Sequence, residues 1–153
     1  MRLADLFPDK AILPDFSAEN KHEALKKLSC AVGRCVDGLD EEDVFRVLWE
    51  RELLGSTGIG SGVAIPHARL PNLERPILFF ARSRKGVSFD AVDGKLVHIF
   101  VVLLAPNSST EQHVRILTKI ARLLKDQSIR KKLEEAADEE EILSIIMRYD
   151  SDF

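Results

Sequence analysis

The residues most able to do chemistry lie in one stretch: Gly55-Ser56-Thr57-Gly58-Ile59-Gly60-Ser61-Gly62-Val63-Ala64-Ile65-Pro66-His67. Glycine is used where the backbone takes a positive φ or approaches another group closely. Backbone N–H nests and hydroxyls bind phosphate oxygens. Ser56, Thr57, Gly58 and Gly60 are therefore candidate phosphate-binding positions, the two hydroxyl residues alternatively orienting the loop. Pro66 has no N–H to give to a sheet ladder. A strand should end there or lie at an edge, which would expose His67. An imidazole near its reference pKa is partly neutral at pH 7 and can act as a nucleophile. Once phosphorylated, it would hold a transferable group. On its own, a Pro-His pair also fits a surface histidine beside a turn.

Two better-known phosphate motifs fail. A P-loop requires G-x-x-x-x-G-K-S/T. Gly55 and Gly60 have that spacing, but Ser61 stands in place of the lysine. A dinucleotide fingerprint requires G-x-G-x-x-G between a strand and a helix. Here Gly58, Gly60 and Gly62 alternate, and a strand follows. The histidines His22, His67, His98 and His113 show no H-x-x-x-H pairing, so no metal is assigned, and no cofactor. His22 should be exposed near a helix start. His98 interrupts an apolar strand and reads as a satisfied or sheet-edge histidine.

The elements around this stretch follow from periodicity. Ala11-Ile12-Leu13 reads as a short early strand. Leu25, Leu28, Val32 and Cys35 recur at helical steps over about residues 18–36, after Ser17. Asp40 can cap a second helix to Leu53 or Leu54, burying Val44, Phe45, Leu48 and Trp49. Residues 63–68, 77–82 and 97–104 are apolar runs of strand character. The last is almost continuously apolar, as in a strand covered on both faces. Pro106-Asn107-Ser108-Ser109 reads as a turn, and Thr110 as a cap for a helix to about Lys125. Val114, Leu117, Ile120, Ala121 and Leu124 form its apolar stripe. Short helices follow near 129–136 and 139–148, the second with Ile142, Leu143, Ile146 and Met147 inside. Residues 150–153 should fray. Helices, then strands, then helices give a layered α/β domain with a mixed sheet.

The bulk numbers agree with one ordinary domain. The chain has 153 residues, 45% hydrophobic and 31% charged, with a net charge of −3. That length can bury a single core, and no basic excess points to nucleic acid. Cys30 and Cys35 fall on different faces of a helix, so they should be reduced, buried and apolar rather than bridged. The N-terminus has no apolar signal region, and the longest apolar run is far short of a membrane span. A cytoplasmic location is expected, with no membrane insertion.

The run Gly58-Ile59-Gly60-Ser61-Gly62-Val63-Ala64-Ile65-Pro66-His67 resembles the phosphorylation-site signature of type-2 enzyme IIA domains, of the fructose, mannitol and nitrogen-related phosphotransferase systems. The resemblance extends over residues 4–148. Leu54-Gly55-Ser56-Thr57-Gly58-Ile59-Gly60 and the freestanding domain look most like the nitrogen-related branch. The resemblance implies a five-stranded mixed sheet flanked by helices. It implies that His67 is the phosphohistidine nucleophile, with Arg51 and His113 as the other active-site residues. Phosphate would come from an HPr-type protein and pass to regulatory targets or to a separate IIB. Arg51 carries planar donors suited to phosphate oxygens. His113, near a helix start, would hydrogen-bond the incoming group. Two other functions stay open: a sugar-specific IIA component, and a binding module in which His67 is never modified.

Overall fold

The computed structural model describes residues 2–108 and 110–151. A 3-10 turn at Leu3–Leu6 precedes β1 (Ile12–Leu13), α1 (Lys21–Cys35), α2 (Glu41–Leu53), β2 (Gly58–Gly60), β3 (Val63–Ala64) and β4 (His67–Leu70). Next come β5 (Ile77–Val87), β6 (Val97–Pro106), α3 (Thr110–Lys125), α4 (Gln127–Glu135) and α5 (Glu139–Ser151).

The apolar run of β6 forms the middle of a mixed sheet. Five strands follow the path β1-β5-β6-β3-β2, and β4 pairs β6 as a sixth. β5 runs antiparallel to β6, whereas β3 and β4 run parallel to it. Side chains alternate across a strand. Phe100, Val102 and Leu104 therefore join the core with α1 and α2, while Ile99, Val101 and Leu103 join the core with α3 and α5. Every one of these six is nearly or fully buried. Covering on both faces explains why β6 lacks polar alternation.

The strand expected over residues 63–68 is two pieces laid along the same edge of β6. Ala64 pairs Phe100, and His67 pairs Leu103. Ile65-Pro66 lies between them, and the Leu103 N–H reaches the Pro66 carbonyl at 2.9 Å. A proline can accept in that ladder but cannot donate. β2, Gly58–Gly60, has no expected counterpart; its glycines carry no strand signal.

Several helix details differ from the sequence reading. α1 begins at Lys21, where Asn20 accepts the Glu23 N–H, rather than near Ala18. Asp40 does cap α2, accepting the Glu42 N–H. Phe45 and Trp49 are half-buried, stacked on each other with exposed His22 edge-on to both. Cys30 and Cys35 are free and half-buried. Thr110 is the first residue of α3; Ser109 lies outside the described residues. The α3 stripe holds at Ile120 and Leu124, which are buried, and at Leu117 and Ala121, which are half-buried against the same core; His113, Ile116 and Leu123 are buried beside them, and Val114 is exposed. Met147 is also exposed.

The C-terminal end does not fray at residue 150, although Asp152 and Phe153 lie outside the described residues. Asp150 is buried, and its carboxylate accepts the N–H groups of Leu3 and Ala4, each at 3.0 Å. Lys119 of α3 lies 3.2 Å away. One carboxylate thus ties the first turn of the chain to α3 and α5. Asp150→Ala would leave two backbone donors without their acceptor. It should cost about 2–4 kcal/mol, read as a lowered urea midpoint, with Asp150→Asn losing less because an acceptor oxygen remains.

Candidate functional site

Arg51 sits in the last turn of α2, where a cation suits the negative end of the helix dipole. Its NH1 donates to the Gly55 carbonyl at 3.0 Å. Its Nε donates to His67 Nε2 at 3.3 Å. His67 opens β4 and is half-buried. Its Nδ1 lies 2.7 Å from the Ile65 carbonyl. A carbonyl only accepts, so Nδ1 carries the hydrogen and Nε2 keeps its lone pair. The bond from Arg51 requires the same tautomer. Burial holds the His67 pKa below its ordinary value; the Ile65 bond opposes that shift, and the Arg51 charge adds to it. The ring is therefore neutral at pH 7, with a lone pair at Nε2.

His113 is not on the helix surface. The phase of α3 turns it inward, and it is 6% exposed. Its ring centroid lies 5.6 Å from that of His67, at an interplanar angle of 64°. Its Nδ1 is buried with no hydrogen-bond partner among the described residues. Burial first, then the proximity of His67 and Arg69, pushes its pKa down to about 4. Two neutral imidazoles and one fixed guanidinium thus converge.

They converge on an open basin of about 630 Å³, lined by Val47, Glu50, Arg51, Leu54, His67, Ala68, Arg69 and His113. Leu54 and nearby Leu53 on α2, and Val114 next to His113, are exposed apolar groups. Arg69 was not singled out in the sequence. It alternates with Ala68 along β4, so it shares the His67 face of the strand.

The four expected phosphate-binding positions lie outside this lining, and the structure gives them other partners. The Thr57 N–H donates to both Glu52 carboxylate oxygens at 3.0 Å, and its hydroxyl donates to Oε1. Ser56 Oγ accepts the Gly58 N–H. Gly58 lies against Ala91, where an added Cβ would stand 2.8 Å from the Ala91 Cβ. Gly60 has φ +97 and faces Asp93. Gly58 is thus needed for close approach and Gly60 for backbone conformation.

Glu52 and Lys21 escaped the sequence reading. Glu52 is 5% exposed, and Lys21 Nζ lies 2.9 Å from it. One signal was present: an acidic residue at a helix C-terminus opposes the dipole and implies a compensating partner. His98 is satisfied as expected, its Nδ1 bonding the Ser83 carbonyl at 2.9 Å. Among the described residues, no group of three or more His, Cys, Asp or Glu could hold a metal ion, and no helix is long and apolar enough to cross a membrane.

Comparison with known proteins agrees with this fold. Residues 5–149 match the family described as the phosphoenolpyruvate-dependent sugar phosphotransferase system, EIIA 2. A nitrogen regulatory protein of Bradyrhizobium diazoefficiens is 41% identical over 146 residues, covering 95% of each chain. The crystal structure of the nitrogen regulatory protein IIA-Ntr from Neisseria meningitidis superposes with a TM-score of 0.88 at 36% identity, covering 94% of this chain and 97% of that one. The mannitol enzyme IIA of Escherichia coli, solved in complex with its phosphorylated IIB, shares the fold at 20% identity and a TM-score of 0.74, covering 90% of this chain and 94% of that one.

The depressed pKa of His113 has a consequence for stability. The unfolded chain takes up a proton at this residue near 6.5, the folded chain only near 4. The contribution is complete above pH 6.5 and lost as pH falls toward 4, by up to roughly 3 kcal/mol. Denaturation midpoints should drop from pH 7 to pH 4.5, and the drop should shrink in His113→Gln.

Proposed function

The chain belongs to the type-2 enzyme IIA family of the phosphotransferase system, and from that premise we propose that Nε2 of His67 accepts a phosphoryl group from an HPr-type carrier and holds it for transfer or signalling. The observation that carries this reading is the pair of bonds at His67. Nδ1–H is held by the Ile65 carbonyl, and Nε2 is left as the lone-pair nitrogen beside the Arg51 guanidinium.

In the transfer step, the Nε2 lone pair forms a bond to phosphorus while the bond from phosphorus to the donor's nitrogen breaks. The electron pair of that bond leaves with the donor imidazole. No proton has to leave His67, because Nε2 carries none. Phosphoryl transfer depends chiefly on positioning and on stabilising charge over the equatorial oxygens. Arg51 supplies fixed charge and planar donors at that spot. His113, neutral and adjacent, supplies a further hydrogen-bond donor to the phosphoryl oxygens. An open basin rimmed by Leu54 and Val114 admits a protein donor, which a deep pocket would exclude.

The phosphorylated state adds about two negative charges to the basin. A partner reading that surface separates the two states by repulsion or by a new arginine contact. The resemblance to nitrogen regulatory proteins favours a regulatory carrier in the cytoplasm. The complex formed by the mannitol relative supports a IIB-type protein as another acceptor. The basin formed by Arg51, His67 and His113 serves either partner.

The test is phosphate incorporation from an HPr-type donor system, read by intact mass under non-acidic conditions, since phosphohistidine is acid-labile. The wild-type chain should gain one phosphoryl group, and His67→Ala none. Arg51→Ala should accept phosphate about 10²-fold more slowly. His113→Ala should still take up phosphate but pass it on poorly. No incorporation into the wild-type chain would leave a binding module as the function, and full labelling of His67→Ala would move the site.

A further inference from the structure

Glu52 is buried, ionisable and adjacent to the site, yet the transfer step above does not use it. Its contacts show two routes to the reacting atoms, and both pass through the loop that follows α2.

The first route runs to the cation. The Glu52 backbone carbonyl accepts the Gly55 N–H at 3.1 Å. The Gly55 carbonyl in turn accepts from Arg51 NH1 at 3.0 Å, which sets where the guanidinium lies. The Glu52 carboxylate closes the same turn from its far side by holding both the N–H and the hydroxyl of Thr57. The second route runs to the nucleophile. The Thr57 carbonyl accepts the Ile65 N–H at 2.9 Å. The Ile65 carbonyl then holds Nδ1–H of His67 at 2.7 Å. Thr57 therefore stands at a junction: its donors face Glu52, and its carbonyl faces the segment that fixes the His67 tautomer. Lys21, 2.9 Å from the carboxylate, neutralises it in place.

We propose that Glu52 and Thr57 are positioning residues for phosphoryl transfer, together setting the Arg51 guanidinium and the Nδ1–H tautomer of His67 through the Gly55 and Ile65 carbonyls. The proposal rests on the phosphocarrier reading for its kinetic consequence and on geometry alone for its structural one. A carboxylate with four hydrogen-bond or ionic contacts keeps the loop in one conformation. Small displacements of groups that must meet a transferring phosphoryl lower the rate steeply. Neither residue lines the basin, so neither touches the donor or the phosphate.

The experiment uses the whole chain in three variants. Thr57→Val removes only the hydroxyl bond at constant shape, Thr57→Ser restores that bond, and Glu52→Ala removes the carboxylate. Long-range proton–nitrogen correlation spectra separate the protonated from the lone-pair nitrogen of His67, with no donor required. The wild type should show Nδ1–H almost alone. Thr57→Val and Glu52→Ala should shift population toward Nε2–H, and Thr57→Ser should reverse that shift. Transfer from the HPr-type donor should slow about tenfold in Thr57→Val and about 10²-fold in Glu52→Ala. The KM for the donor should hold steady, because the docking surface is intact. Thr57→Val is isosteric and keeps the test alive if Glu52→Ala does not fold. Wild-type tautomer signals in a folded Thr57→Val that also transfers at the wild-type rate would overturn the proposal. Failure of the wild-type chain to take up phosphate would overturn the phosphocarrier reading instead, while the tautomer spectra would still decide the positioning role.

Discussion

The hydrogen bond from His67 Nδ1 to the Ile65 carbonyl is the constraint on which the site turns. An imidazole has two nitrogens of similar basicity, and in water either can carry the proton. A carbonyl 2.7 Å from Nδ1 removes that choice. It leaves the lone pair on Nε2, facing Arg51 and the open basin. Burial keeps the ring neutral at the same time, because a charged imidazole loses hydration it cannot recover there. The proposed nucleophile is thus prepared by backbone geometry and desolvation rather than by a neighbouring base.

That geometry depends on a broken strand. Alternate residues of this edge face β6: the Gly62 and Pro66 carbonyls accept the Ile99 and Leu103 N–H groups, while the Ile65 N–H turns the other way to the Thr57 carbonyl. Proline has no N–H to contribute, so the ladder lapses for two residues between β3 and β4. The Ile65 carbonyl, free of the β6 ladder, holds Nδ1–H of His67. Pairing resumes at once, His67 with Leu103, so the His67 ring is anchored to the most buried strand of the sheet. The two-faced core around β6 makes this anchor rigid, with α1 and α2 on one side and α3 and α5 on the other. Arg51 comes from α2 and His113 from α3, so the basin collects side chains from helices of both layers.

The phase of α3 shows how packing overrides a local pattern. The stripe expected through Val114, Leu117, Ile120, Ala121 and Leu124 packs against the core at every position but Val114. The buried face is shifted to include Ile116 and Leu123 as well. Val114 faces outward, and the polar His113 is drawn inside, its Nδ1 without a hydrogen-bond partner among the described residues. Burying a polar group without a partner is costly.

The sequence by itself determined the nucleophile candidate, the order of the helices and longer strands, the doubly covered β6 and the Asp40 cap. Each rests on interactions between near neighbours or on simple periodicity, which a linear reading retains. The Pro66-His67 pair and the glycine run pointed to His67, the family resemblance added Arg51 and His113, and the fold brings the three side chains together. The sequence did not reveal which loop groups face a ligand. Ser56, Thr57, Gly58 and Gly60 read as a phosphate cradle because their chemistry fits one. Only the fold decided that Thr57 is bonded to Glu52, that Gly58 makes room for Ala91 and that Gly60 turns beside Asp93. Nor could it pair Lys21 with Glu52, or Asp150 with the first turn of the chain. Those contacts join segments distant in sequence. A buried charge takes whatever partner the packing brings within reach, and no local pattern encodes that partner.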